Sequence, residues 1–422
     1  MDGSATKLGQ QKPERRESNC MRRRSETSGV EQAPRASEDL SKNKADRRNV
    51  LAYVHLRNIH GSTGAGRTAR QITEHLALRE DVNLRILADA SDKARILPLV
   101  RDPWTGYRYH TFADDTSRQQ TRWFFLDSPR AEQFWPKAEV VFCTGESYVP
   151  VRKAKLVMTA HDAGYFEPGA HIRNANYWRT RLKWELLYNK LTRRVDMFHT
   201  VSAFSAERLA HFFPTIKDRI RWVHNGVTPH FFQPVDSAGR QFVEQAGLVD
   251  QRFVLVPGGL HFRKNAELIL QAIPMLQKRF PELIVAVVNH TNPVYAVQAA
   301  QLGERVRLLG FVTDEALHAL YSAATVVWYP SRYEGFGLPV VEAMACGASV
   351  VASDSSSIPE IAGDAALLVD PGNPVAHAEA ISSLLSDVRA RAHFAQAGKV
   401  RARQFTWAAC AGELKRHFDS LL

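Results

Sequence analysis

The sequence predicts an α/β protein built from two doubly wound domains that face each other across a cleft. Three observations lead there. From Asn49 onward, short apolar strands alternate with amphipathic helical stretches, the rhythm of parallel sheets covered by helices on both faces. The rhythm breaks in a turn-rich stretch at 229–234 and then restarts, as two separate sheets require. At 422 residues the chain suffices for two or three domains, each with its own core.

In the first series, strands are expected over 50–56, 82–87, 140–143, 156–159, 197–201 and 220–224. Residues 67–78 show apolar side chains at helical spacing (Ala69, Ile72, Leu76). In the second series the strands fall at 253–256, 283–288, 306–309, 325–329, 349–352 and 366–369. The chain therefore divides into a tail (1–48), a first domain (49–237), a second domain (238–406) and an amphipathic C-terminal helix (407–422) suited to packing back across the hinge. Ligands of such sheets bind beyond the carboxyl ends of the strands, so the site is expected in the cleft.

Composition excludes several classes. Hydrophobic residues at 45% and charged residues at 23% describe an ordinary globular protein. No apolar run approaches the ~20 residues of a membrane helix, and residues 1–48 hold no apolar core that would read as a secretory signal. Cys20, Cys143, Cys346 and Cys410 are scattered without a CxxC pair, which reads as free thiols in a reducing, cytoplasmic compartment. No cluster of metal ligands stands out, and no metal or cofactor is expected.

The net charge of +11 is unevenly spread. The tail holds 12 Lys/Arg against 8 Asp/Glu, with few large apolar residues, and reads as disordered. Between Arg173 and Arg194 lie seven Lys/Arg and one acid, Glu185, interleaved with Tyr177, Trp178, Trp184 and Tyr188. Two readings stay open. The stretch is a helix lying on an anionic membrane, or a surface helix whose aromatic residues, with Leu182, Leu186 and Leu187, face a core.

The chemistry concentrates in Ser331-Arg-Tyr-Glu-Gly-Phe-Gly-Leu-Pro-Val-Val-Glu342 and its continuation. A buried strand ends near Tyr329, Gly335 and Gly337 supply a turn, Pro339 suits a first helical turn, and Gly347 suits a left-handed C-terminal cap. A helix N-terminus with the amides of Gly335, Phe336, Gly337 and Leu338 favours a phosphate. Yet Glu334 and Glu342 flank the same segment, and carboxylates accept hydrogen bonds from hydroxyls rather than bind phosphate. A nucleotide-sugar, with both phosphates and hydroxyls, satisfies both demands.

Three further segments carry candidates. Gly64-Ala-Gly66-Arg-Thr-Ala69 matches GxGxxA, but Arg57 to Thr63 separate it from the strand, unlike a dinucleotide fingerprint. It reads as a glycine loop ahead of a helix, able to approach a ligand, with a plain turn as the alternative. His161 directly follows a strand and sits on the cleft side, as a donor to a sugar hydroxyl or as a structural histidine. Arg263 and Lys264 stand at a strand–helix junction, where they suit a diphosphate. A solvated basic patch is the alternative, but cations there oppose the helix dipole, so an anion is expected beside them.

Taken in order, these segments resemble the family-4 retaining glycosyltransferases of GT-B architecture, and within them the bacterial mannosyltransferase-like branch. The segments are TGAGRTARQITEHL, VMTAHDAGYF, TVSAFSAERL, PGGLHFRKNAELILQA and EGFGLPVVEAMACG. The resemblance implies transfer of a sugar, mannose for the branch, from a nucleoside-diphosphate donor to a saccharide or lipid-linked saccharide in surface polysaccharide synthesis. It implies that Glu334 holds the donor sugar's hydroxyls and Glu342 the ribose. It places Arg263 and Lys264 on the leaving diphosphate, backbone amides at Phe336 to Leu338 on sugar and phosphate, and Gly64 and Gly66 in a loop that closes on the donor. His161 lies beside the reacting sugar, and no metal is needed. Many members carry Arg directly after the first glycine of the phosphate turn, where this chain has Gly259. Two other classes stay open at this stage. A nicotinamide-dependent oxidoreductase would need an acid near Glu80 or Asp81 for the ribose. A non-catalytic polyanion-binding protein would explain the charge alone. Both leave the Glu334–Glu342 segment unexplained, and no nucleic-acid partner is expected.

Overall fold

Residues 47–60, 63–100 and 102–422 are described by a computed structural model, so the expected tail lies outside the described residues except for its last two. Arg48 already opens the first strand. The first sheet contains β1 (Arg48–Tyr53), β2 (Val82–Asp89), β3 (Tyr109–Phe112), β4 (Val140–Cys143), β5 (Lys155–Ala160), β6 (Met197–Thr200) and β7 (Ile220–Trp222). Their spatial order is β3-β2-β1-β4-β5-β6-β7, parallel at every pairing, with Tyr53 opposite both Leu87 and Cys143. The second sheet contains β8 (Phe253–Val256), β9 (Ile284–Val288), β10 (Val306–Gly310), β11 (Val326–Tyr329), β12 (Val350–Ser353) and β13 (Leu367–Val369). Its order is β10-β9-β8-β11-β12-β13, again all parallel. Strands β4, β8, β9 and β11 are buried along their whole length, which is why each reads as an unbroken apolar run.

Two expectations are corrected in the first sheet. The strand expected over 50–56 stops at Tyr53, because Leu56 begins a one-turn helix, α1 (Leu56–His60). Edge strand β3 was absent from the expected set: in Tyr-His-Thr-Phe only Phe112 is buried, so no apolar run marks it. Helix α2 (Gly64–Ala77) follows α1 and starts three residues before the expected 67–78, with the Thr63 hydroxyl accepting from the Gly66 amide as N-cap.

Helix Ser237–Gln245, capped by Asp236, spans the position expected to divide the domains and packs on α5 (Asp314–Ala323) of the second domain; among the helices between α2 and α5, α3 (Ala175–Arg194) and α4 (Ala266–Arg279) bear on the site and surface described below. Helix α6 (Leu338–Ala345) follows β11. The terminal helix α7 (Trp407–Asp419) returns to the first domain and packs on α2. There Phe418 meets Phe142 of β4 at a ring separation of 5.5 Å, and Asp419 accepts from Arg48 Nε at 3.0 Å. Among the described residues, no helix is long and apolar enough to cross a membrane. Cys143, Cys346 and Cys410 are free thiols.

Candidate active site in the interdomain cleft

Strand order reverses between β1 and β4 in one sheet and between β8 and β11 in the other, and crevices open at such points beyond the carboxyl ends. Loops from both reversals line a single cavity of about 560 Å³, within the usual size of a small-molecule site. From the first domain come Gly64, Thr68, His161 and Asp162; from the second come Gly258, Arg263, Lys264, Glu334 and the run from Gly335 to Pro339. Of the predicted site residues, Gly66 and Glu342 do not line it.

Glu334 lies five residues beyond the end of β11 and is 8% exposed. One of its oxygens accepts from Tyr329 Oη at 2.9 Å, from Ser331 Oγ at 2.5 Å and from Lys264 Nζ. Burial raises its pKa, but the Lys264 ammonium and Arg263 guanidinium, with the hydrogen bonds, outweigh burial and hold the carboxyl below its ordinary range. Burial lowers the Lys264 pKa, and Glu334 offsets only part of that. Lys264 Nζ also sits 4.8 Å from the centre of the Tyr329 ring.

Arg263 reaches across the cleft. Its Nη2 meets Asp162 Oδ2 at 2.5 Å and its Nε donates to the Tyr333 carbonyl at 2.9 Å. Burial opposes its charge, yet Asp162 and Glu334 together raise its pKa. The anions expected beside these cations are thus Asp162 and Glu334 of the protein itself. Both cations occupy a 3₁₀ turn ending at Asn265, whose φ of 63° redirects the chain into α4. Gly259 explains the departure in the phosphate turn: its φ is +71°, and a Cβ there would meet the His290 carbonyl oxygen at 2.0 Å. The turn therefore excludes an arginine at that position.

His161 directly follows β5 and lines the cavity. Its amide donates to Glu146 Oε1 at 2.8 Å, and burial raises the Glu146 pKa. Gly66 has a different task from the one predicted. A Cβ on it would lie 1.9 Å from the Asn58 carbonyl oxygen, so Gly66 lets α2 pass against α1, while Gly64 faces the cavity.

Glu342 is 2% exposed and pairs with Arg67 of α2, which also pairs with Asp314. Burial raises its pKa and Arg67 pulls it back only partly. The two glutamates therefore do not share one place. Sequence reasoning missed Arg67, Tyr329, Ser331 and Asp162. Arg67 stood inside the glycine motif, and Asp162 beside His161; nothing in the sequence marked their partners across the domain boundary.

Residues 62–231 match the profile "Glycosyltransferase Family 4", and residues 240–401 match "Glycosyl transferases group 1". An O-antigen chain mannosyltransferase B of Escherichia coli is 33% identical over 271 residues, covering 62% of this chain and 70% of that protein. This chain belongs to the family-4 glycosyltransferases of GT-B architecture. Its place is in the mannosyltransferase-like branch: an MMP alpha-(1->4)-mannosyltransferase of Mycolicibacterium hassiacum is 28% identical over 64% of the chain and 67% of its own length. Among solved structures, Anabaena HepE in complex with UDP and glucose superposes with a TM-score of 0.67 at 18% identity, covering 89% of this glycosyltransferase and all of HepE; that likeness shows the shared fold.

Proposed function

We propose that this glycosyltransferase moves a hexose, mannose in the first instance, from a nucleoside-diphosphate sugar to a saccharide or lipid-linked saccharide with retention of anomeric configuration. One observation carries the reading: both sheets' carboxyl ends converge on a cavity where two half-buried cations meet a buried, ionised carboxylate. Arg263, Lys264 and the N-terminal end of α6 bind the diphosphate and stabilise the charge it gains on leaving. Glu334, an acceptor of hydrogen bonds, holds sugar hydroxyls. His161, which like Gly64 lines the first-domain side of the cavity, contacts the reacting sugar.

In the proposed step the acceptor hydroxyl oxygen bonds to the sugar C1 while the C1–O bond to diphosphate breaks on the same face. The acceptor proton passes to the departing phosphate oxygen, so no side chain has to act as base. The two cations supply positive charge without a metal, and turnover retained in EDTA checks that part. The E. coli and Mycolicibacterium relatives favour mannose and bacterial glycan synthesis, whereas HepE binds UDP. GDP and UDP are therefore the two nucleotides to compare. A ligand at 100 times its Kd adds about 2.7 kcal/mol of stability. A thermal-shift panel should show this for one of them, and no shift with either overturns the reading. Retention is checked by the anomeric coupling of the product in NMR spectra.

A membrane-bound acceptor is supported by α3. Trp178, Leu182 and Leu186, spaced four apart, are 53%, 57% and 54% exposed, so the two leucines do not face a core. Arg179 and Lys183 lie beside them, and Phe125 and Leu126 add exposed apolar surface. An apolar stripe flanked by cations suits an anionic bilayer surface.

A further inference from the structure

The carboxylate assigned to the ribose is sealed by a residue from the opposite domain. Arg67 lies on α2, in the turn whose neighbours Gly64, Ala65 and Thr68 line the cavity. Its side chain is 10% exposed, and its two terminal nitrogens go to two different carboxylates of the second domain. Nη1 pairs with Glu342, one turn into α6 behind the cavity-lining Leu338 and Pro339. Nη2 pairs with Asp314, the first residue of α5, which also lies 3.6 Å from Arg70 Nη2. Beneath the guanidinium is the Phe231 ring, 5.8 Å away, from the segment that links the two domains.

A guanidinium forked between two carboxylates leaves Glu342 with its charge met and 2% of its surface open. Ribose hydroxyls would have to take over that carboxylate, and Asp314, 34% exposed in its side chain, stands ready to retain Arg67 when they do. Resting on the nucleotide-sugar reading above, we infer that Arg67 is a positioning residue that withholds Glu342 from the nucleotide. Donor binding then exchanges Arg67 for ribose at Glu342, while Asp314 keeps Arg67 tied to the second domain. The arginine thereby sets the affinity for the ribose end of the donor.

The inference fixes signs for two variants. Arg67→Met removes the competitor, so GDP or UDP, whichever the full chain binds, should bind about five- to tenfold more tightly, at the low end of usual couplings between sites. Asp314→Asn removes the alternative partner, so the same nucleotide should bind more weakly. The 2′,3′-dideoxy diphosphate, lacking the competing hydroxyls, should bind all three proteins alike in titration calorimetry. If Arg67→Met does not fold, Arg67→Lys, which retains charge but cannot fork between two carboxylates, takes its place with the same sign. Weaker nucleotide binding by the Arg67 variant, or equal shifts for ribo- and dideoxynucleotide, overturns the competition. A wild-type protein that binds both nucleotides equally would instead remove the ribose role of Glu342, and with it the inference.

Discussion

Replacing Lys264 with Met keeps the apolar stem and removes one cation from the centre of the cleft. Lys264 and Glu334 have side chains 19% and 11% exposed, so the change leaves a nearly buried carboxylate without its nearest countercharge. Breaking a buried pair from one side costs about 3–5 kcal/mol. The lower end applies here, because the Tyr329 and Ser331 hydroxyls still donate to Glu334 and Arg263 still attracts it. The pH dependence gives a sharper test than the size. In the wild type the Glu334 pKa is depressed, so its contribution is present above the unfolded value, about 4.3, and is lost as pH falls through the lower folded value. In Lys264→Met the attraction and hydrogen bond of Lys264 are lost, so the folded pKa moves up toward the unfolded value and the stability present above that value shrinks. The gap in Tm between the two proteins should therefore be wide at pH 7.5 and narrow near pH 4. Turnover should fall by about 10²–10³, the usual cost of one charged contact in such a site. A gap independent of pH, or near-wild-type turnover with a donor confirmed by thermal shift, would refute the pairing and the phosphate role together.

If Glu334 holds sugar hydroxyls as proposed, Glu334→Gln should lower turnover by about 10² while nucleotide binding changes little. Glu342→Gln should instead weaken ribonucleotide binding by about tenfold or more, the value of a hydrogen bond to a charged group, as titration calorimetry can measure. Gly259→Arg, which installs the arginine that the family resemblance leads one to expect, should lower Tm rather than improve diphosphate binding, since its Cβ would collide with the His290 carbonyl. Arg179→Gln combined with Lys183→Gln should weaken sedimentation with phosphatidylcholine–phosphatidylglycerol vesicles by roughly 30-fold, at about 1 kcal/mol per cation. Unchanged partitioning would refute the membrane contact, and nucleotide binding should not move in either case.

Much of the architecture was legible because buried parallel strands must be apolar on both faces. Val140–Cys143 and Phe253–Val256 fall at the residues expected, since each is a short run of such side chains. Edge strand Tyr109–Phe112 escaped because an edge is covered on fewer sides and needs no such run. The one-turn helix Leu56–His60 escaped because a single turn has no periodicity to display. At the site, local features were legible: the strand end before Glu334, the glycine turn, and the cations after β8.

The sequence by itself determined two doubly wound domains, a cleft between them and several of the residues that line it. Only the tertiary structure decided which charges meet. Arg263 finds Asp162 101 positions away, and Arg67 finds Glu342 275 positions away, each across the domain boundary. Spacing along a helix or strand reports neighbours within one element. Pairing between elements depends on how two sheets are set against each other, and that is fixed by the packing of their faces. The same packing separated the two glutamates that sequence had placed together: eight residues of turn and helix carry Glu342 behind the cavity wall while Glu334 remains at its edge.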